Sequence, residues 1–209
     1  MPTPRKKLPK KKPGNPLGYR FKVTLAESSP PIWRRILVPD GTLDDLHEWI
    51  QTAMGWTNSH LHQFEIRKRR YGDPDLLDDD WYDEQDKVIS TLDTALASLF
   101  DRPRPVKRFT YEYDFGDDWL HKIEFEGIQE APRGKKPSCC LEGERCCPPG
   151  DVGGVWGYAE FLLAIRDPEH ENHEHYLEWA GGDFDPAEFK LAEATKAMRA
   201  GLPDWRDYR

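Results

Sequence analysis

The sequence predicts an α+β fold: a mostly antiparallel sheet of about five strands, packed by helices, with a helical C-terminal third. Three observations carry this. Segments at 20–25, 32–38, 60–67, 108–115 and 119–128 alternate apolar and polar residues with the two-residue period of half-buried strands. Gly116-Asp117-Asp118 joins the last two of them with hairpin chemistry. Helical spacing of apolar residues appears at 43–54 and then dominates beyond residue 157.

Residues 1–18 are rich in Pro and Lys and too poor in apolar groups to pack. They read as a disordered basic tail before a single domain over 19–200, with 201–209 as a C-terminal extension. Phe21, Val23 and Leu25 define the first strand; Ser28-Ser29-Pro30-Pro31 turns the chain and 32–38 pairs back. Thr42 is placed to cap a helix over 43–54, whose Leu43, Leu46, Ile50 and Met54 share one face, and Gly55 supplies the left-handed residue that ends it. On the strand at 60–67 the alternation puts His60, His62, Phe64 and Ile66 on one face.

Eight acids, Asp73, Asp75, Asp78, Asp79, Asp80, Asp83, Glu84 and Asp86, mark a solvated excursion before a short helix over 91–100. Phe109, Tyr111, Tyr113 and Phe115 then share a strand face, as do Trp119, His121, Ile123 and Phe125. Tyr158, Phe161, Leu162 and Ile165 recur at helical spacing until Asp167-Pro168, and 173–179 forms a second short helix. Asp185-Pro186-Ala187-Glu188 has the composition of a capped start for a last helix ending near residue 200.

With 209 residues and 37% hydrophobic content, bulk comes from eight Trp, eight Tyr and nine Phe, whose rings bury large apolar areas. The longest apolar run, 161–165, is far short of a membrane span, and the N-terminus has no secretory apolar stretch. A cytoplasmic location without a membrane partner is the expectation. Six of the 30 basic residues (Arg5, Lys6, Lys7, Lys10, Lys11 and Lys12) lie in the tail, so the remaining 24 face 38 acids. A body that acidic repels phosphate backbones, which leaves weak nucleic-acid contact to the tail at 5–12 and makes an unidentified protein the expected partner.

All four cysteines fall in Cys139-Cys140-Leu141-Glu142-Gly143-Glu144-Arg145-Cys146-Cys147, followed by Pro148-Pro149 and a Gly-rich run. Without a secretory signal, thiols point to a metal site or to inert free cysteines rather than to disulfides. Six residues separate Cys140 from Cys147, longer than the usual zinc-knuckle gap. His60, His62 and His121 lie on otherwise apolar strand faces, where an imidazole needs a partner. A structural zinc ion held by Cys140, Cys147, His62 and His121, with His60, Cys139 and Cys146 as further candidates, would satisfy both sets and clamp the loop to the sheet. The alternative at each position is a core histidine bonded to a carbonyl and a reduced, unreactive thiol.

Asp114, Asp117, Asp118 and His121 form a second constellation, compatible with Mg²⁺ or Mn²⁺ in phosphodiester hydrolysis. The simpler reading makes Gly116, Asp117 and Asp118 ordinary hairpin residues. No catalytic residue is assigned. Gly153, Gly154 and Gly157 precede a helix without a following Lys-Ser/Thr, which excludes a P-loop.

Several blocks together resemble one family. They are Pro31-Ile32-Trp33-Arg34-Arg35-Ile36, Leu43-x-x-Leu46-His47, Met54-Gly55-Trp56, His60-Leu61-His62-x-Phe64, Tyr113-Asp114-Phe115-Gly116-Asp117-Asp118-Trp119-x-His121 and Cys147-Pro148-Pro149-x-Asp151-x-Gly153-Gly154-x-x-Gly157-Tyr158. In this order, over roughly 19–200, they are similar to the plasmid pRiA ORF-three-like family, some members of which carry the label of a TnpR passenger protein of mobile elements. The resemblance implies an α+β roll, β-grasp-like in arrangement, in a plasmid or transposon setting, with no established activity. Gly150 stands where the family has an acid after Pro-Pro, and Cys139 and Cys146 are additions beside the family-like Cys140 and Cys147.

A literal recombinase does not fit: a lysine-rich tail and a strand occupy the place of a nucleophilic serine with flanking arginines. The expectation is therefore a non-enzymatic interaction module with a structural metal. The alternatives are a metal-dependent nuclease or hydrolase and a DNA-recombination accessory protein.

Overall fold

The computed structural model describes residues 16–77, 87–132 and 137–202. The basic residues at 5–12 and most of the acidic excursion lie outside them. In chain order the elements are β1 (Leu17–Leu25), β2 (Trp33–Val38), α1 (Leu43–Met54), β3 (His62–Ile66), β4 (Arg69–Gly72), α2 (Pro74–Leu77), β5 (Ile89–Ser90) and α3 (Leu96–Phe100). There follow β6 (Arg108–Tyr113), β7 (Trp119–Glu130), β8 (Cys139–Glu144), α4 (Gly154–Arg166), α5 (His173–Trp179) and α6 (Leu191–Ala200).

The strands form one sheet in the order β5-β4-β3-β6-β7-β1-β2-β8, antiparallel except for the short β4–β5 edge. Eight strands therefore replace the expected five or so. The additional ones have little alternation to announce them. Arg69–Gly72 is four residues long and half charged, Ile89–Ser90 is two residues long, and Cys139–Glu144 is hidden in the cysteine-rich segment. That last segment is not a floppy connector, because its first half is held to β2 by a backbone ladder from Trp33↔Glu144 to Leu37↔Cys139. The C-terminal third is not helical throughout either. It opens on β8, and turns at 167–172 and 180–190 separate its helices. Asp185 makes an Asx turn onto Ala187 N–H rather than a helix cap, and α6 starts only at Leu191.

Alternation decides which face is buried. Phe21, Val23, Leu25, Ile36, Val38, Phe64, Ile66, Phe109, Tyr111, Tyr113, Trp119, Ile123 and Phe125 all point into one core. α1 lays Leu43, Leu46, Ile50, Ala53 and Met54 on that face. Phe100 from α3 closes the β1 side, edge-on to Phe21 with ring centres 4.9 Å apart. α6 packs on β8 and on α1. A bulge between Arg35 and Ile36 shifts the β2–β8 register. Cys140 joins the main core, while Cys139 packs with Leu37 and Ala131 in a small separate cluster.

The start and end of α1 follow the local sequence. Thr42 accepts a hydrogen bond from Asp45 N–H, and the Asp45 carboxylate accepts one from Thr42 N–H, a reciprocal capping box. Gly55 ends the helix at φ 102°, where a side chain would be strained. Ile50→Ala is expected to cost about 2–5 kcal/mol, from lost burial and the residual cavity. Thr42→Ala should cost about 0.5–2 kcal/mol. Both are read as shifts of the urea midpoint at unchanged slope.

Candidate metal centre

At one end of the sheet, the entry to β3, the β6–β7 hairpin and the loop before α4 meet. Pairing of β3 with β6 runs on past His62↔Tyr113, because Asp114 N–H donates to the Leu61 carbonyl at 2.9 Å. The chain then turns tightly. Asp114 stands at φ 59° and Asp118 at φ 53°, and the Asp114 carbonyl accepts from Asp117 and Asp118 N–H. Aspartate tolerates this left-handed backbone because its short carboxylate bonds locally. Asp114 Oδ1 accepts from Gly116 N–H at 3.1 Å and from Asp117 N–H at 3.3 Å.

That leaves Oδ2 of the buried Asp114 pointing at His60, 3.5 Å from Nε2. The same Nε2 lies 3.0 Å from Asp151 Oδ1. One ligand atom from each of His60, Asp114 and Asp151 falls within 4.8 Å of the other two. The Asp151 side chain is 73% exposed, so the cluster opens to solvent.

The loop carrying Asp151 is fixed from both sides. Trp56 Nε1–H donates to the Pro148 carbonyl at 3.0 Å, and Gly153 N–H donates to Asp117 Oδ2 at 3.1 Å. Gly154, at φ 67°, lies so close to the hairpin that a Cβ there would sit 2.5 Å from the Asp117 carbonyl oxygen. Glycine at this position is thus a packing requirement between hairpin and helix. Tyr113 borders His60 edge-on at 5.8 Å, and its hydroxyl accepts from Ser59 N–H.

Behind the cluster a closed ring of hydrogen bonds runs between α1, β6 and the approach to β3. Asn58 N–H donates to Gln51 Oε1, Gln51 Nε2 to the Tyr111 hydroxyl, Tyr111 O–H to His47 Nδ1, and His47 Nε2–H to Asn58 Oδ1. This is the assignment in which each donor finds an acceptor, and it sets the His47 tautomer. His62 stacks flat on His47 with ring centres 3.5 Å apart. Burial pulls His47 down to about 4 despite the Asn58 bond. Burial, aided by the His47 neighbour, holds His62 well below its ordinary value. His121 is fully buried beside Trp56 and Tyr111, and burial lowers it to about 4. Backbone groups of Trp119 and Tyr111 lie near enough to oppose that shift, yet neither His121 ring nitrogen makes a hydrogen bond of good geometry.

The expected Cys140, Cys147, His62 and His121 site is not assembled. Cys140 lies on β8, three strand positions from β7 and five from β3. At about 4.8 Å per strand, that is roughly 14 Å from the His121 strand and 24 Å from the His62 strand. The Cys140 thiol donates instead to the Arg35 and Glu142 carbonyls. Cys139 and Cys140 sit in different clusters, so this vicinal pair does not share a ligand position. Cys146 and Cys147 line a cleft together with Arg34, and among the described residues no cysteine belongs to a group with metal-ligand proximity. All four cysteines are free thiols.

Of the second constellation only Asp114 reaches the cluster. Asp117 is committed to Gly153, and His121 faces the core. Among the described residues, His60, Asp114 and Asp151 are the group with metal-ligand proximity. His60 was a secondary candidate from sequence, and Asp151 was visible there only as part of the Pro148-Pro149-x-Asp151 block.

A model of the plasmid pRiA4b ORF-3-like protein family matches residues 18–193. The chain belongs to this family. It is 42% identical over 190 residues to the uncharacterized protein y4hQ of Sinorhizobium fredii, an alignment spanning 89% of this chain and 93% of that one. The crystal structure of MM3350, a protein of unknown function from Methanosarcina mazei Go1, superposes with a TM-score of 0.71 at 36% identity. That match covers 85% of this chain and 97% of MM3350. MM3350 shares the fold, and neither relative brings an assigned activity.

The buried imidazoles make stability depend on pH in a defined direction. His47, His62 and His121 are neutral in the folded protein, whereas the unfolded chain protonates them near pH ~6.5. The unfolded state therefore binds more protons between roughly pH 6.5 and 4, so stability is full above that window and falls on acidification through it. The loss should be on the order of 3 kcal/mol each for His47 and His121. Urea midpoints measured from about pH 7.5 to about pH 4.5 check this, and a flat profile would contradict neutral burial.

Proposed function

We propose that this protein is a metal-organised interaction module. A divalent cation held by His60, Asp114 and Asp151 would cross-link the entry to β3, the β6–β7 hairpin and the loop before α4. The observation that carries this reading is the convergence of one imidazole nitrogen and two carboxylate oxygens, from three distant chain segments, within 4.8 Å. Mixed nitrogen and oxygen donors suit Zn²⁺ or Mn²⁺.

The same segments carry exposed apolar side chains beside their ligands: Leu61 next to His60, Phe115 next to Asp114, and Trp156, 88% exposed, in the first turn of the helix after Asp151. Bound metal would set the relative position of these three groups, and such a surface fits a protein partner with an apolar contact patch. The tail at 5–12 adds positive charge that would give weak, salt-dependent contact with nucleic acid. Among the described residues no helix is long and apolar enough to cross a membrane.

A metal-dependent hydrolase is the second reading, favoured by the exposure of Asp151. Three protein ligands would leave coordination positions for water and substrate. Against it, His121, the imidazole of the Asp114, Asp117, Asp118 and His121 set, is buried in the core.

Titration calorimetry with Zn²⁺ and Mn²⁺ tests the site. Wild type is expected to bind one ion. Asp114→Asn keeps a side chain that tolerates the left-handed turn, yet should weaken binding at least ~10-fold, as should His60→Ala. Stoichiometric binding that survives both changes would remove the assignment. Divalent-dependent cleavage of a phosphodiester, abolished in Asp151→Asn with the fold intact, would establish the hydrolase instead.

A further inference from the structure

Arg34, on β2, is only 2% exposed. Its Nε donates to the Ala53 carbonyl at the end of α1, and Nη1 donates to the carbonyls of Trp33 and Glu144. A cation there complements the negative end of the helix dipole. Phe189 covers the flat face of the guanidinium at 4.1 Å. Nη2 has no hydrogen-bond partner among the described residues, and it is not among the polar atoms sealed from solvent.

Among the described residues no carboxylate forms an ion pair with Arg34. Burial works against the charged guanidinium, and Cys147, Cys140 and Cys146 would oppose that only as thiolates. Burial pushes the Cys147 thiol strongly up, Cys140 to about 11, and Cys146 upward as well, so at neutral pH all three stay protonated and supply no counter-charge. Leaving a buried cation uncompensated is costly, by several kcal/mol in general.

Arg34 forms part of the wall of a cleft of about 320 Å³ between the end of α1, the 146–147 segment and α6. Met54, Ala194 and Ala197 give the cleft apolar surface, and Thr52, Cys146, Lys190, Glu188 and Glu193 are part of its polar lining. Lys190 pairs with Glu188 at 3.0 Å.

We propose that this cleft binds a small organic carboxylate, whose oxygens meet Arg34 Nη2 and whose short apolar body lies on Met54, Ala194 and Ala197. The choice of anion follows from the lining. A guanidinium edge matches a planar carboxylate. Glu188 and Glu193 disfavour a doubly charged phosphate, and the apolar surface favours a hydrocarbon over water. The site is separate from His60, Asp114 and Asp151 and does not depend on a metal there.

The probe is butyrate, with sodium phosphate and sodium chloride at matched ionic strength. Cys146 is the least buried thiol and lines the cleft, so its alkylation by iodoacetamide reports occupancy. At four times its dissociation constant, butyrate should slow Cys146 labelling by about fivefold and raise the melting temperature, with chloride doing neither. Arg34→Lys is expected to lose the protection. Because that substitution risks the fold, Ala194→Phe serves as the second variant: it fills the cleft and leaves Arg34 in place. It should fold as wild type and show no protection by butyrate. Equal protection by chloride, or protection that persists in folded Ala194→Phe, would overturn the site. Phosphate protecting as well as butyrate would overturn the carboxylate assignment.

Discussion

Packing α1 on the sheet buries the polar side chains of His47 and Gln51 in a core made mostly of aliphatic and aromatic groups. An unsatisfied polar group there costs roughly 1–3 kcal/mol, so the helix can dock only where partners exist. The Tyr111 hydroxyl, from the middle of the sheet, and Asn58, from the chain leaving the helix, are those partners. The ring they close holds Asn58 at φ 58° and so sets the direction of the chain two residues before His60. The position of His60 over the hairpin is thus a consequence of how α1 is satisfied underneath.

From that constraint the rest of the centre follows. The continued β3–β6 pairing brings Leu61 opposite Asp114, and the turn that follows uses one Asp114 oxygen for its own backbone. The other oxygen is left beside the imidazole. Asp151 adopts a left-handed backbone at φ 57°, on a loop held to Trp56 at one end and to Asp117 at the other. Three segments with no sequence proximity are therefore positioned by hydrogen bonds within the protein, many of them from side chains. Preorganisation of this kind distinguishes the cluster from acidic residues that merely share a surface.

The cysteine segment serves a different end of the molecule. Its strand half closes the sheet against β2, and its following turn lines the cleft at Arg34, whose charge meets one helix carbonyl, two strand carbonyls and an aromatic face. The two features flank the Pro148–Pro149 turn, so one stretch of chain contributes to the cleft at Arg34 and, through Asp151, to the centre at His60.

By itself the sequence determined the elements whose information is local. The α1 limits at Thr42 and Gly55, the central strands β1, β2, β6 and β7, and the burial of His121 were readable because period and capping depend on neighbours in the chain. Family membership was equally legible, since the blocks that carry it are contiguous motifs. The short edges β4 and β5 and the strand β8 were not, because they pair through backbone groups that every residue possesses.

Which candidate donors meet was decided only in three dimensions. Cysteine and histidine are plausible ligands by type, but strand order puts Cys140 several strands from the histidine faces and leaves Asp151 next to His60. Residue type states what a side chain can bind; the order in which strands hydrogen-bond states which side chains meet, and that order is a property of the whole sheet.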